Sequence, residues 1–240
     1  MAYTLIRSEV IDMALSQVGY QGSSKSSIYS KELDAVKFYN YPKDGETTWC
    51  SIFVDDMIYR CIKEQTADNA RNALCEPNKD NCGAGCVQSA GYFKQAGRWY
   101  SKPSDAHKGD KIFFKNSSGI YHTGIVVDWD DKGLYTVEGS TGGAKVLKHF
   151  YSYSDSKIAG FGRPRYSSNE PDPAPAPEPT EKKYIVKVGD FLSIRTQPDI
   201  NSNMVGLFYN GAIVTITEEK NGWGRISGDC WCSMNYLKAM

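Results

Sequence analysis

Cys50, His122 and Glu138 are the residues of this chain whose types and order suit nucleophilic catalysis. A thiolate attacks carbonyl carbon, an imidazole takes the thiol proton and later returns it, and a carboxylate orients the imidazole. Cys50 stands in Thr47-Thr48-Trp49-Cys50-Ser51-Ile52-Phe53-Val54, His122 in Tyr121-His122-Thr123-Gly124-Ile125-Val126-Val127, and Glu138 in Tyr135-Thr136-Val137-Glu138-Gly139-Ser140. The chemistry would be acyl transfer. A thioester forms on Cys50, protonated His122 supplies the proton of the leaving amine, and water resolves the thioester. Each residue alone has an ordinary structural explanation: a buried cysteine, a strand-end histidine, a solvated strand carboxylate. Their order along one helix start and two successive strands points to a shared site.

The flanking patterns say how the three would be held. Ile52, Phe53, Met57, Ile58, Cys61 and Ile62 recur at helical spacing, with Asp55, Asp56, Arg60 and Lys63 between them. This predicts a helix over 51–62 with Thr47 or Thr48 as its N-cap and Cys50 in its first turn. There the helix dipole and unpaired N–H groups lower a thiol pKa and can hold an oxyanion. Residues 111–115 and 123–129 read as strands, Asp130-Asp131-Lys132-Gly133 as a turn, and 134–138 and 144–150 as the strands that follow. The turn pairs the His122 strand with the Glu138 strand. If the second strand runs on, Glu138 and Ser140 share a face and both approach His122. Residues 8–18 read as an amphipathic helix opened by Ser8 and closed near Gly19.

The chain has 240 residues, 40% hydrophobic and 23% charged, with a formal net charge of zero, as suits globular domains. Basic and acidic residues number 21 and 19 in 1–166, 2 and 4 in 167–183, and 5 and 5 in 184–240. No segment is basic enough to support nucleic-acid binding. No apolar run reaches the roughly 20 residues of a membrane span, so membrane insertion is not expected. The first residues lack the basic and apolar regions of a signal peptide.

Seven cysteines is an odd number, which fits one reactive thiol. Cys75, Cys82 and Cys86 lie in a Gly- and Asn-rich loop, with Cys61 nearby. A zinc site, a disulfide and simple burial are all open to them; the spacing is not a zinc-knuckle pattern, and burial is the expectation. Cys230 and Cys232 would share one face of a strand. Asp128, Asp130 and Asp131 before Gly133 are better read as a hairpin turn than as a calcium loop. No metal site is assigned and no cofactor is required.

Residues 167–183 alternate proline with small and acidic residues, a semi-rigid spacer reaching up to roughly 50 Å at about 3.1 Å per residue. From Tyr184 short β-rich runs (184–188, 192–195, 212–217, 224–226) separated by Gly, Asn and Pro turns predict a small β-barrel.

Two resemblances follow from these residues. Trp49-Cys50-Ser51-x-Phe53-Val54, Lys108-Gly109-Asp110-Lys111-Ile112-Phe113-Phe114, the His122 and Glu138 strands, and Ile158-Ala159-Gly160-Phe161-Gly162-Arg163-Pro164 resemble the CHAP domain over residues 1–166. That family comprises cysteine- and histidine-dependent amidohydrolases and peptidases of peptidoglycan. Some members bind calcium on the N-terminal side of the cysteine, where this chain has only Asp44-Gly45-Glu46. The resemblance implies a papain-like α+β fold, a central helix against an antiparallel sheet, with Cys50 as nucleophile, His122 as base and acid, and Glu138 orienting it. Many members carry Asn where this chain has Ser140, whose hydroxyl retains one hydrogen bond but lacks the amide's reach. Leu192-Ser193-Ile194-Arg195, Pro198, Val205-Gly206, Gly211, Asn221-Gly222-Trp223, Arg225-Ile226, Trp231 and Tyr236-Leu237 resemble bacterial SH3 (SH3b) domains over 184–240. This implies a small all-β SH3-like barrel that binds cell wall, with exposed aromatics among Tyr209, Trp223, Trp231 and Tyr236 as contacts.

The expectation is a peptidoglycan hydrolase, an N-acetylmuramoyl-L-alanine amidase or an endopeptidase, whose partner is bacterial peptidoglycan. With no signal peptide read at the start, a phage or prophage endolysin made in the host cytoplasm and released through a holin fits. A bacterial autolysin or interbacterial effector would use the same chemistry. A catalytically inactive wall-binding protein is the rival that Ser140 supports.

Overall fold

The computed structural model describes residues 3–167, 182–226 and 230–240. It divides into two compact units. The proline-rich spacer expected at 167–183 falls almost wholly outside the described residues.

The first unit combines five helices and a six-stranded sheet. The helices are α1 (Arg7–Ser16), α2 (Ile28–Ala35), α3 (Cys50–Cys61), α4 (Ala67–Ala73) and α5 (Cys86–Gln95). The strands are β1 (Trp99–Tyr100), β2 (Lys111–Asn116), β3 (Gly119–Trp129), β4 (Gly133–Thr141), β5 (Lys145–Ser152) and β6 (Ile158–Gly162), ordered β1-β6-β2-β3-β4-β5. The pairs β1/β6, β6/β2, β2/β3 and β3/β4 are antiparallel. The expected hairpin over the Asp130 turn is present. Asp130 Oδ1 accepts the Lys132 and Gly133 N–H groups at 2.8 and 3.1 Å, and Asp128 pairs with Lys108 at 2.6 Å. Asp130 thus closes the turn, and Asp128 is held in an ion pair outside it.

Helix α3 lies against β3 and β4. The sequence pattern assigned its polar residues to an outer face. Instead Asp55 and Asp56 are buried with the apolar positions, and of the twelve residues only Arg60 is not. A helix covered on all sides must pair its charges. Lys111 Nζ, fully buried on β2, donates to Asp55 Oδ1 at 2.5 Å and to Ser51 Oγ at 3.0 Å, and the Tyr39 hydroxyl donates to Asp55 Oδ2 at 2.7 Å. Asp56 pairs with Arg60 at 2.6 Å. The helix is therefore tied to β2 by an ion pair, while Phe53, Val54, Met57 and Ile58 join the apolar core. Gly139 on β4 marks the closest approach, since a Cβ there would fall 2.5 Å from Phe53 Cβ.

Two helix starts differ from expectation. The N-cap of α3 is Trp49, with no side-chain cap, rather than Thr47 or Thr48. Its indole is buried and donates to the Ser23 carbonyl at 2.8 Å, so packing rather than capping sets the start. Ser8 does not cap α1; the N-cap is Ile6, and the helix closes at Ser16. Asp44, on the segment considered for calcium, accepts from the Ser30 hydroxyl at 2.5 Å and the Ser27 N–H at 3.3 Å, and so braces the start of α2.

The second unit is all-β: β7 (Lys182–Val186), β8 (Phe191–Arg195), β9 (Met204–Tyr209), β10 (Ile213–Ile216), β11 (Glu218–Lys220), β12 (Trp223–Ile226), β13 (Cys230–Ser233) and β14 (Leu237–Ala239). They form two sheets, β10-β7-β14 and β11-β12-β13-β8-β9, over a core of Tyr184, Val186, Leu192, Val214, Ile216 and Cys232. Strand β9 was not foreseen. Among the described residues no helix is long and apolar enough to cross a membrane.

Candidate active site and ligand cleft

Cys50 is the first residue of α3 and is 5% exposed. An uncapped first turn leaves backbone N–H groups free toward the site, and that of Ser51 interacts with the Cys50 sulfur. His122 projects from β3 and Glu138 from β4. The two meet through His122 Nε2 and Glu138 Oε2 at 2.8 Å. Glu138 is 1% exposed, and its other oxygen accepts the Thr136 hydroxyl at 2.6 Å. The Tyr151 hydroxyl reaches Oε2 at 3.4 Å. Gly124 makes this possible: a Cβ there would lie 2.5 Å from Glu138 Cγ and displace the carboxylate. Phe114, opposite His122 on β2, stacks on the imidazole with ring centroids 5.8 Å apart.

With Nε2 engaged by Glu138, Nδ1 is left for the sulfur, and His122 hydrogen-bonds to Cys50. The charges follow. Burial opposes an imidazolium, but hydrogen bonds and charge from Cys50 and Glu138 outweigh it and raise the His122 pKa to about 9. Cys50 is held well below the ordinary thiol range, first by a hydrogen bond from the Cys86 thiol and then by His122, against burial. Both directions favour a thiolate beside an imidazolium. The structure thus brings Cys50, His122 and Glu138 together.

Ser140 behaves differently. Its φ of +56° breaks the alternation of β4, so it does not share a face with Glu138 by strand geometry. Among the described residues it makes no hydrogen bond with His122. It lines a shallow cleft of about 400 Å³ with Gly22, Ser23, Ser24, Thr48, Gly143 and Ala144. None of Cys50, His122 and Glu138 lines this cleft; Thr48 and Ser140 link it to them along the chain, each two residues away.

Cys86 is the residue that sequence reasoning missed. It was placed in a loop, yet it opens α5, and its sulfur is 3.5 Å from that of Cys50. The available signal was local: Gly85 stands before the helix, which puts Cys86, like Cys50, at a helix N-terminus. The interaction with Cys50 and burial push the Cys86 thiol far up, so it stays protonated and donates. No disulfide joins the cysteines of the described residues. Cys61 donates to the Glu9 carbonyl at 3.5 Å, and Cys82 lies 3.2 Å from Glu76. Among the described residues no three His, Cys, Asp or Glu side chains are grouped to hold a metal.

In the second unit a cleft of about 420 Å³ is walled by Phe191, Leu192, Ile200, Trp223, Asn235 and Tyr236. Tyr236 is 50% exposed there. Tyr209, 64% exposed, stands opposite Phe191 on the neighbouring strand, beside the cleft rather than in it. Trp231 is only 8% exposed, with the Arg225 guanidinium 5.9 Å above its ring. Burial removes it from the exposed aromatics expected to touch a ligand.

Comparison with known proteins bears mainly on this second unit. Residues 190–238 match the bacterial SH3 domain family. No curated protein matches the chain. Among solved structures, the chain is similar to the crystal structure of Ly7917, at 17% identity and a TM-score of 0.35, covering 97% of both chains. It is also similar to the crystal structure of Ly7917 with the hydrolyzing product of MDP, at 15% identity and a TM-score of 0.41, covering 98% of both. Both scores fall below one half, so the reading of the site rests on its own residues.

Proposed function

We propose that the chain is a peptidoglycan hydrolase in which a papain-like CHAP domain cleaves an amide bond and an SH3b domain holds the enzyme on the wall. The observation that carries the reading is the Cys50–His122–Glu138 arrangement at the start of a buried helix. Cys50 attacks the amide carbonyl as a thiolate. The oxyanion that forms sits at the α3 N-terminus, where the first-turn N–H groups and the dipole oppose its charge. His122 passes its proton to the departing amine and then takes one from the water that opens the thioester. Glu138 keeps Nδ1 of His122 aimed at the sulfur.

The small side chains of the cleft that Ser140 lines suit a peptide with short side chains, as in the stem peptide or cross-bridge. Both a muramoyl–alanine amide and a peptide amide fit this chemistry. The bacterial SH3 match supports wall binding, and the aromatic cleft offers stacking surfaces for it. By tethering, this second domain raises the enzyme's effective concentration on an insoluble substrate. A phage or prophage endolysin released through a holin remains our biological reading.

Purified cell walls treated with wild type and with Cys50→Ala, followed by mass spectrometry of the fragments, test the proposal. Clearing by wild type alone is expected, and the new termini name the bond. Walls of several cross-link types that release no fragments would overturn it.

A further inference from the structure

The proposed reaction needs one thiol, yet two meet at its centre. Cys50 and Cys86 are each the first residue of a helix, their sulfurs are 3.5 Å apart, and both side chains are buried. A disulfide requires an S–S distance of about 2.05 Å, so the sulfurs must close by on the order of 1.5 Å, within reach of side-chain rotation. Cys61 and Cys82, by contrast, each hydrogen-bond to an oxygen rather than to a second sulfur.

We propose that Cys50 and Cys86 are a redox modification site, closing to a disulfide when a peroxide oxidises the nucleophile and reopening with a dithiol reductant. The Cys50 thiolate attacks one peroxide oxygen: an S–O bond forms, the O–O bond breaks, and hydroxide departs with the proton of His122. This leaves a sulfenic acid on Cys50. The Cys86 sulfur then attacks the Cys50 sulfur: the S–S bond forms, the S–O bond breaks, and the second hydroxide leaves with the Cys86 proton as water. Together the two thiols lose two electrons and two protons, and hydrogen peroxide becomes two waters. Once Cys50 is a neutral sulfenic acid, the anion that kept Cys86 protonated is gone, so the second step is easier than the reduced site implies.

The disulfide occupies the sulfur that would attack substrate, so the oxidised enzyme is inactive but recoverable. Without Cys86, the sulfenic acid has no neighbouring thiol and proceeds to sulfinic acid, which dithiols do not reduce.

The inference rests on Cys50 as the nucleophile, but its test reads mass and needs no substrate. The full-length protein is titrated with hydrogen peroxide and mapped by non-reducing peptide mass spectrometry. The expected result is a cross-link between the Cys50 and Cys86 peptides with loss of two hydrogens, reversed by dithiothreitol, with wall clearing lost and regained in parallel. In Cys86→Ser, Cys50 should gain two oxygens, and dithiothreitol should not remove them. Wild type that gains oxygens on Cys50 without the cross-link overturns the proposal, and this mapping decides the matter even if Cys86→Ser fails to fold. A cross-link in a protein that never clears walls would uphold the dithiol site and count against the hydrolase reading alone.

Discussion

The two sites solve opposite problems. The Cys50 site is enclosed and polar: Cys50 and Glu138 are buried, the His122 side chain is 14% exposed, and the thiol and the imidazole each favour the other's charged form. The Phe191–Trp223–Tyr236 cleft is open and largely uncharged, with Phe191 45% and Tyr236 50% exposed. Chemistry needs low dielectric so that one charge can fix another. Recognition of an insoluble polymer needs accessible surface, and single contacts there contribute modestly. Substitutions in the first site should therefore act cooperatively and strongly, and those in the second singly and weakly.

The largest expected effect is that of Cys50→Ala, which removes the nucleophile. Wall hydrolysis should fall at least about 10⁴-fold, with binding to walls unchanged. Turnover assays and wall pull-down on the same preparation check both halves. A variant that still clears walls would break the comparison at its root.

Next is the charge beneath the site. Lys111→Met leaves Asp55 buried without its ion-pair partner, and the first unit should lose about 3–5 kcal/mol of stability. Urea unfolding followed by tryptophan fluorescence measures it. No substitution at the exposed cleft should approach this value.

A smaller effect sharpens the electrostatic half. Glu138→Gln keeps the shape but removes the negative charge that helps hold the imidazolium, and turnover should fall about a hundredfold. His122 must be protonated to serve as acid. Wild-type activity should thus be lost as pH rises through about 9, and at low pH as the depressed Cys50 thiolate is protonated. Lowering the His122 pKa narrows that window from above, so in Glu138→Gln the alkaline limb should move to lower pH. A limb that does not move would mean that Glu138 orients His122 without tuning it.

What could be read in the sequence divides along similar lines. Cys50, His122 and Glu138 were legible because each sits in a local pattern, a helical repeat or an alternating strand beside a turn. Cys86 was not, because its meaning arises only where α5 brings it to α3. Nor was Ser140, whose left-handed backbone breaks an alternation that the sequence appeared to continue. Asp55 and Asp56 carried the right period for an amphipathic helix, but the partners that allow their burial, Lys111 and Arg60, cannot be matched to them from period alone. Strand β9, Met204-Val205-Gly206-Leu207-Phe208-Tyr209, lacks polar alternation and carries a glycine, so its period gave no strand signal although Val205, Phe208 and Tyr209 favour strands. Trp231 shows the same limit in reverse, since composition names an aromatic as a contact while only the packed barrel shows that it is covered.

The weakest effects belong to the cleft, and they can separate wall from rim. Tyr236 lines the cleft, whereas Tyr209 stands beside it. Both are exposed, so neither truncation leaves a large cavity and both variants should fold. Loss of one stacking aromatic at the centre of a contact is worth about 1–2 kcal/mol, while a rim residue contributes little. Tyr236→Ala should therefore weaken binding of the full chain to purified walls by about tenfold, since each 1.4 kcal/mol is about a factor of ten. Tyr209→Ala should weaken it less than about threefold on the same scale. Hydrolysis at saturating wall should be unchanged in both, because neither residue is near Cys50 along the chain or in its unit. Sedimentation of labelled protein with walls gives the two affinities side by side. Equal losses would mean that the ligand spreads across the exposed β8–β9 face and that the cleft is only part of its footprint.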